Sequence, residues 1–278
     1  MTVPILIERE GHRTWLKWHR GRRRASDPAF TGERILEAMR LGASVEVDLV
    51  IHAEGGCAIL HDLTLERETT GSGKVRDIGA TALRELHLRD NDGNPIAEKV
   101  RLLEDLCALL AREGIHPDAL LQLDFKEDRQ ALTPEVVESF GASATPIAGS
   151  LILSGGDFEA IAMLAAAAPG IATGFDPCYD GALADLQARG NYLDFIREAL
   201  ATAPDAGMIY LDYEIVLAAE DAGVDIIAPI HAAGRRVDAW TIGGTDPLAI
   251  AQVERLLRLR VDQITTDDPE GLAEAFRS

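Results

Sequence analysis

Cysteine is scarce in this chain: Cys57, Cys107 and Cys178 are the only three. An odd number scattered this widely builds no disulfide framework, and the spacing is wrong for a thiolate metal site. Basic residues are outnumbered too, 27 Lys and Arg against 46 Asp and Glu, for a formal net charge of −19. That balance argues against nucleic acid as a partner, because its phosphates are held by clustered Lys and Arg. No apolar run is long enough to span a bilayer, and Glu, Arg, His and Lys are mixed through residues 1–20, where a signal core would lie. No stable membrane insertion is expected, and a soluble cytoplasmic protein is the default. A Gly-x-Gly-x-x-Gly after the first strand and a P-loop are both missing, so nothing implies a nucleotide. A Ser or Cys nucleophile elbow is missing as well, which argues against acyl transfer. Internal repeats and low-complexity segments are absent.

Hydrophobic residues make up 47% of the 278, enough to bury a sizeable core. One basic cluster, Arg20-Gly21-Arg22-Arg23-Arg24, stands out against the acidic background. It reads either as a solvated loop or as a local rim that attracts anions, since net charge does not forbid a local patch.

The stretch that organises the chain is Ser44-Val45-Glu46-Val47-Asp48-Leu49-Val50. Strict alternation marks a strand with two unlike faces: Val45, Val47 and Leu49 on one, Glu46 and Asp48 on the other. Two carboxylates on one face of a buried strand repel each other and are costly if left unpaired. A divalent cation relieves them, because hard cations take oxygen ligands. The plainer alternative is a half-exposed strand with one wet face. Leu120-Leu121-Gln122-Leu123-Asp124-Phe125-Lys126 repeats the pattern, with Gln122, Asp124 and Lys126 on its polar face.

Taken in order, residues 1–14 read as a mixed-charge lead-in and Thr14–Trp18 as the first strand. Residues 31–41 read as a helix stopped by Gly42. Further strands are expected near 47, 122, 152, 173, 209, 239 and 263. Helices are expected over 100–113, 157–168, much of 181–203, 214–221, 226–233, 247–258 and 269–276. Eight strands alternating with helices imply a parallel sheet, and eight such units in about 250 residues is the size of a TIM (β/α)8 barrel. A doubly wound open sheet is the runner-up. The polar, period-free stretch from Leu63 to Lys99 reads as an insertion after strand two, beginning at about residue 57 and covering the barrel mouth. The chain is expected to be one domain over 1–278.

Active sites of such barrels lie at the carboxyl ends of the strands. His19, Glu46, Asp48, Asp124 and Lys126 all fall at or near those ends. Glu46, Asp48 and Asp124 can hold one divalent ion. His19 and His61 come from flanking loops, and Arg20 and Lys126 add positive charge. This set suits a phosphodiester: the cations neutralise the equatorial oxygens, and two imidazoles divide the acid and base roles. Each residue has a plainer reading. Lys126 could pair with Asp124, Arg20 with Asp62, and His19 could be a packed strand-end histidine. Trp240 is either core or a wall against an apolar part of the substrate. His12, His52, His87, His116 and His231 read as structural or surface. Two other functions fit the same barrel: a Schiff-base aldolase using Lys126, and a phosphate-ligand binder without catalysis.

These residues resemble the glycerophosphodiester phosphodiesterases over most of the chain. The resemblance is carried by His19-Arg20-Gly21, then Glu46-Val47-Asp48, then His61-Asp62 with Thr64, Leu65, Arg67, Thr69, Gly71, Gly73 and Val75. It continues in Asp124-Phe125-Lys126, Ala239-Trp240-Thr241-Ile242 and Ile264-Thr265-Thr266-Asp267-Asp268-Pro269. It implies a TIM barrel with an insertion after strand two, a Mg or Ca ion, and His19 and His61 as the acid–base pair. The implied reaction is hydrolysis of a glycerophosphodiester to sn-glycerol 3-phosphate and an alcohol. Three positions depart from the family pattern. Asp27–Gly32 stands where Pro-Glu-Asn-Thr is usual, Asp124 where Glu is usual, and Gly243 where Asn follows Trp-Thr-x. These departures bear on recognition of the glycerol half, so sugar phosphodiesters and lysophospholipids stay open as substrates.

Overall fold

The computed structural model describes residues 5–277. Eight parallel strands close into a barrel: β1 (His12–Trp18), β2 (Ser44–Ile51), β3 (Leu120–Phe125), β4 (Leu151–Ser154), β5 (Ala172–Phe175), β6 (Met208–Asp212), β7 (Arg236–Ile242) and β8 (Gln263–Thr266). Each pairs with its neighbours in chain order. Closure comes from β8 beside β1, with Leu16 opposite Ile264, and from β1 beside β2, with Lys17 opposite Ser44. Every one of the eight strands lies where the alternation places it, so the doubly wound alternative is excluded.

Strand β2 shows why the pattern reads so clearly. All eight of its residues are buried, so the half-exposed reading does not hold. Val45, Val47 and Leu49 pack in the apolar layer between barrel and helices. Glu46 and Asp48 point into the barrel with no water-facing side to use. That apolar layer falls into two clusters, one around β2 and β3, the other around β6 to β8. The helix Gly32–Leu41 buries Ile35, Ala38 and Met39 against the first cluster and ends at Gly42 in the left-handed region. Each of Ile35 and Met39 contributes about 1.5–3 kcal/mol by leaving water. Helix starts are capped by side chains, as at Asp157 before Phe158–Ala167 and Asp246 before Pro247–Arg258.

Several details lie beyond the sequence reading. The segment read as a lead-in contains a strand, Leu6–Arg9, antiparallel to β1. A helix at Pro134–Ala144, capped by Thr133, fills a region for which no helix was expected. Its buried Val136, Phe140, Gly141 and Ala144 keep helical spacing, but Gly and Ala dilute the apolar stripe. The helical stretch 181–203 is two helices, Ala182–Arg189 and Tyr192–Thr202, split at Gly190. After β2 a short antiparallel strand, Cys57–Ile59, turns back along it. The following polar stretch carries a hairpin of His87–Arg89 and Pro95–Lys99. Among the described residues no helix is long and apolar enough to cross a membrane.

Candidate active site

Three carboxylates meet inside the barrel mouth. Asp48 on β2 stands in register with Asp124 on β3, and Glu46 with Gln122. Glu46, Asp48 and Asp124 each offer an oxygen, all within 4.8 Å of one another. Two cations stand against them. Lys126 Nζ lies 2.7 Å from Asp48 Oδ1 and 2.5 Å from Asp124 Oδ2. Arg20 Nε lies 3.3 Å from Asp48 Oδ2, and its NH1 also faces Glu68 at 3.8 Å. The expected Lys126–Asp124 pair is therefore present. The alternative Arg20–Asp62 pair is not, because Arg67 takes Asp62 through two contacts of 2.5 Å.

Three carboxylates and two cations leave a surplus of negative charge. Burial, then the neighbouring Asp48, push the Glu46 carboxyl well above the ordinary carboxylate range. Burial acts the same way on Asp48, but Lys126 and Arg20 outweigh it and hold that carboxyl below the usual range. Asp48 Oδ2 is buried without a hydrogen bond. Three carboxylate oxygens within 4.8 Å of one another, one of them on a carboxyl that its neighbours and burial force toward the neutral form, fit a hard divalent cation at this point.

Arg20 shows how the backbone builds the mouth. It sits in the left-handed region at φ 53°, ψ 31°, uncommon outside glycine. That turn aims its own N–H at Glu46 Oε2, 2.8 Å away. Gly21 follows, also at positive φ, and a Cβ there would meet Ile35 Cγ1 at 2.8 Å. Only glycine lets the loop rest this closely on the first helix.

Both histidines of the mouth are oriented by carboxylates. His19 Nδ1 lies 2.7 Å from Asp267 Oδ1, which also accepts from Arg22 NH1 at 2.8 Å. Burial pulls the His19 pKa below the free imidazole range, and Asp267 offsets this only in part. His61 Nδ1 lies 2.8 Å from Asp62 Oδ1. Arg67 foremost holds the Asp62 carboxyl down to about 2. Buried Glu68 accepts from the backbone N–H groups of His61 and Asp62 at 2.9 and 3.1 Å, which fixes the loop between them.

His19, Arg20, Glu46, Asp48, His61, Asp124, Lys126 and Trp240 all line one cavity of about 290 Å³. A wider cleft of about 790 Å³ adjoins it on the β3–β5 side, sharing Asp124, Lys126 and Asp176. All eight residues singled out in the sequence thus converge.

The basic cluster is a different matter. Arg23 pairs with Glu37 and Glu270 at 2.5 and 2.8 Å. Arg24 reaches Glu270 and Glu274, each at 2.9 Å. Arg22 is taken by Asp267. Of the two readings of this cluster, a rim that attracts anions is left only to Arg20, which lines the cavity; Glu37 and acidic side chains from the far end of the chain neutralise the rest.

Sequence reasoning gave no role to Asp267, Glu68, Asp176 or Ser154. Asp267 follows the carboxyl end of β8, and the strand-end rule that picked Asp48 points to it too. Glu68 carries no such signal.

Carboxylates and imidazoles gathered at the carboxyl ends of the strands place the site where barrel enzymes carry their chemistry. A family model described as the glycerophosphoryl diester phosphodiesterase family matches residues 19–271. The chain belongs to that family and is a phosphoric diester hydrolase. Solved structures share the fold at low identity. A glycerophosphoryl diester phosphodiesterase from Parabacteroides distasonis is 19% identical with a TM-score of 0.63, covering 99% of this chain and 90% of its own. A glycerophosphodiester phosphodiesterase from Agrobacterium tumefaciens is 19% identical at TM-score 0.66, covering 94% and 99%. An Oleispira antarctica phosphodiesterase, solved with the product sn-glycerol-3-phosphate, is 20% identical at TM-score 0.67, covering 95% and 96%. No curated protein matches the chain.

Proposed function

We propose that this chain hydrolyses a glycerophosphodiester to sn-glycerol 3-phosphate and an alcohol, with His19 and His61 as the acid–base pair. Glu46, Asp48 and Asp124 would hold one Mg or Ca ion, which when bound polarises a phosphoryl oxygen. The observation that carries the reading is the pairing of two carboxylate-anchored imidazoles with a surplus of buried carboxylates in one cavity.

The residues' own work follows from their positions. Each imidazole is held through Nδ1, so Nε2 is the nitrogen that exchanges a proton with substrate or water. Burial favours the neutral form of His19, the form that accepts. Arg20 and Lys126 face the phosphoryl oxygens and stabilise charge that grows as the P–O bond to the alcohol breaks. Trp240 forms a wall of the cavity, and the wider cleft beside Asp124 receives the departing alcohol. A Schiff base at Lys126 is disfavoured: a nucleophilic amine must shed its proton, whereas Asp124 and Asp48 outweigh burial and raise the Lys126 pKa.

We read the chain as one phosphodiesterase domain with residues 57–99 as an insertion, serving lipid and glycerol turnover. Three cysteines without disulfides suit the cytoplasm. The test is a panel of glycerophosphodiesters, sugar phosphodiesters and lysophospholipids, each assayed with Mg, Ca and Mn. Metal-dependent release of sn-glycerol 3-phosphate supports the proposal. Turnover that is indifferent to chelator, or confined to carbonyl substrates, sinks it.

A further inference from the structure

Bulky branched side chains usually fill the interior of such barrels. Here the layer beneath the mouth is polar and almost wholly buried: Lys17 is 1% exposed, Asp238 0%, Gln122 5% and Ser154 0%. The contacts run in one direction. Lys17 Nζ lies 3.0 Å from Asp238 Oδ2, and Thr265 Oγ1 donates to Asp238 Oδ1 at 2.7 Å. Lys17 also donates to Gln122 Oε1, and its ammonium lies 4.4 Å from the centre of the Tyr210 ring. Gln122 Nε2 donates to Ser154 Oγ at 2.8 Å, and Ser154 Oγ donates to Asp124 Oδ1 at 2.6 Å.

An ammonium has no acceptor to offer. Lys17 therefore decides which end of the Gln122 amide faces it, and the NH2 end must face Ser154. The serine oxygen accepts from that group, so its single proton is left for Asp124. We propose that Lys17, Gln122 and Ser154 are positioning residues that fix the orientation of the Asp124 carboxylate for cation binding. The inference rests on the metal reading of Glu46, Asp48 and Asp124. With Ser154 on Oδ1 and Lys126 on Oδ2, the carboxylate plane of Asp124 cannot rotate. Partners of this kind tune metal affinity by about 10–100-fold.

The experiment is calorimetric titration of the purified chain with magnesium and with manganese, at a temperature where every variant is folded. Ser154→Ala is expected to bind each ion about 10–100-fold more weakly with little change in melting temperature, and Ser154→Thr to recover most of the loss. The double variant Lys17→Met/Asp238→Asn removes the polarity while keeping the buried charge balanced, and it too is expected to bind more weakly. Lys17→Met alone is a test of sign, because removing a nearby cation would by charge alone tighten binding, whereas the relay requires weaker binding. Unaltered affinity in both Ser154→Ala and the double variant overturns this inference and leaves the metal reading standing. Absence of binding by the unaltered chain overturns the metal reading and this inference with it.

Discussion

Two groups of buried charge lie in successive layers of one barrel, and they are balanced differently. In the lower layer Lys17 meets Asp238 one to one, with Thr265 and Gln122 completing their contacts. In the upper layer Glu46, Asp48 and Asp124 face only Lys126 and Arg20, and Arg20 is shared with Glu68. The residue types are the same in both, so composition does not separate scaffold from site. What separates them is formal charge: below, one cation meets one carboxylate, while above two cations are shared among four carboxylates. The balanced pair suits a scaffold, and the unbalanced group suits the cation proposed above.

The largest expected effect sharpens that contrast at the mouth. His19→Ala and His61→Ala are each expected to lower turnover about 10²–10⁴-fold, with melting temperature almost unchanged. A comparable loss of stability would place the imidazoles in the scaffold instead. In the lower layer the order reverses. Lys17→Met leaves Asp238 buried without its cation and is expected to cost about 3–5 kcal/mol in denaturant unfolding. If Lys17→Met unfolds like the parent, the lower group is not a closed structural pair.

Cation binding sharpens the comparison next. An ion that binds only the folded mouth, at about 100 times its dissociation constant, is expected to add about 2.7 kcal/mol of stability, reversed by chelator. Asp48→Asn is expected to abolish that gain while Asp238→Asn is not, as thermal melts with and without magnesium would show. A pH-dependent effect concerns Asp176, the carboxylate shared by both cavities, whose carboxyl burial pushes up to about 7. An unfolded Asp loses its proton near pH 4, about 3.9. The folded chain keeps that proton until about 7. Stability in chelator should therefore fall as pH rises through that window and level off above it. Asp176→Asn is expected to flatten this slope and raise the melting temperature at pH 8. A slope unchanged by the substitution would rule out Asp176 as its source.

The barrel and most of the mouth were legible in the sequence for a local reason. Alternation puts Glu46 and Asp48 on one face within three residues, and β3 repeats the arrangement with Gln122 and Asp124, Lys126 following just past its end. The sequence leaves a half-exposed strand as the alternative, and burial of all eight residues of β2 removes it. What was hidden depended on contacts between distant segments. His19 and Asp267 are 248 positions apart, and Arg24 and Glu274 are 250 apart. Spacing carries no trace of such pairs, so the arginine run looked free when it was already neutralised. Lys17 was hidden differently. A lone lysine between Leu16 and Trp18 looks like an end-of-strand cation until Asp238 is placed opposite it.

Closure of the sheet by β8 against β1 also sets an order of events during synthesis. Every carboxylate offered to a cation lies before residue 125, so an unfinished chain on the ribosome already owns the full set. The imidazole of His19 gains its anchor only when Asp267 arrives with the last strand. With the role proposed for His19, turnover should begin only once the last strand is in place.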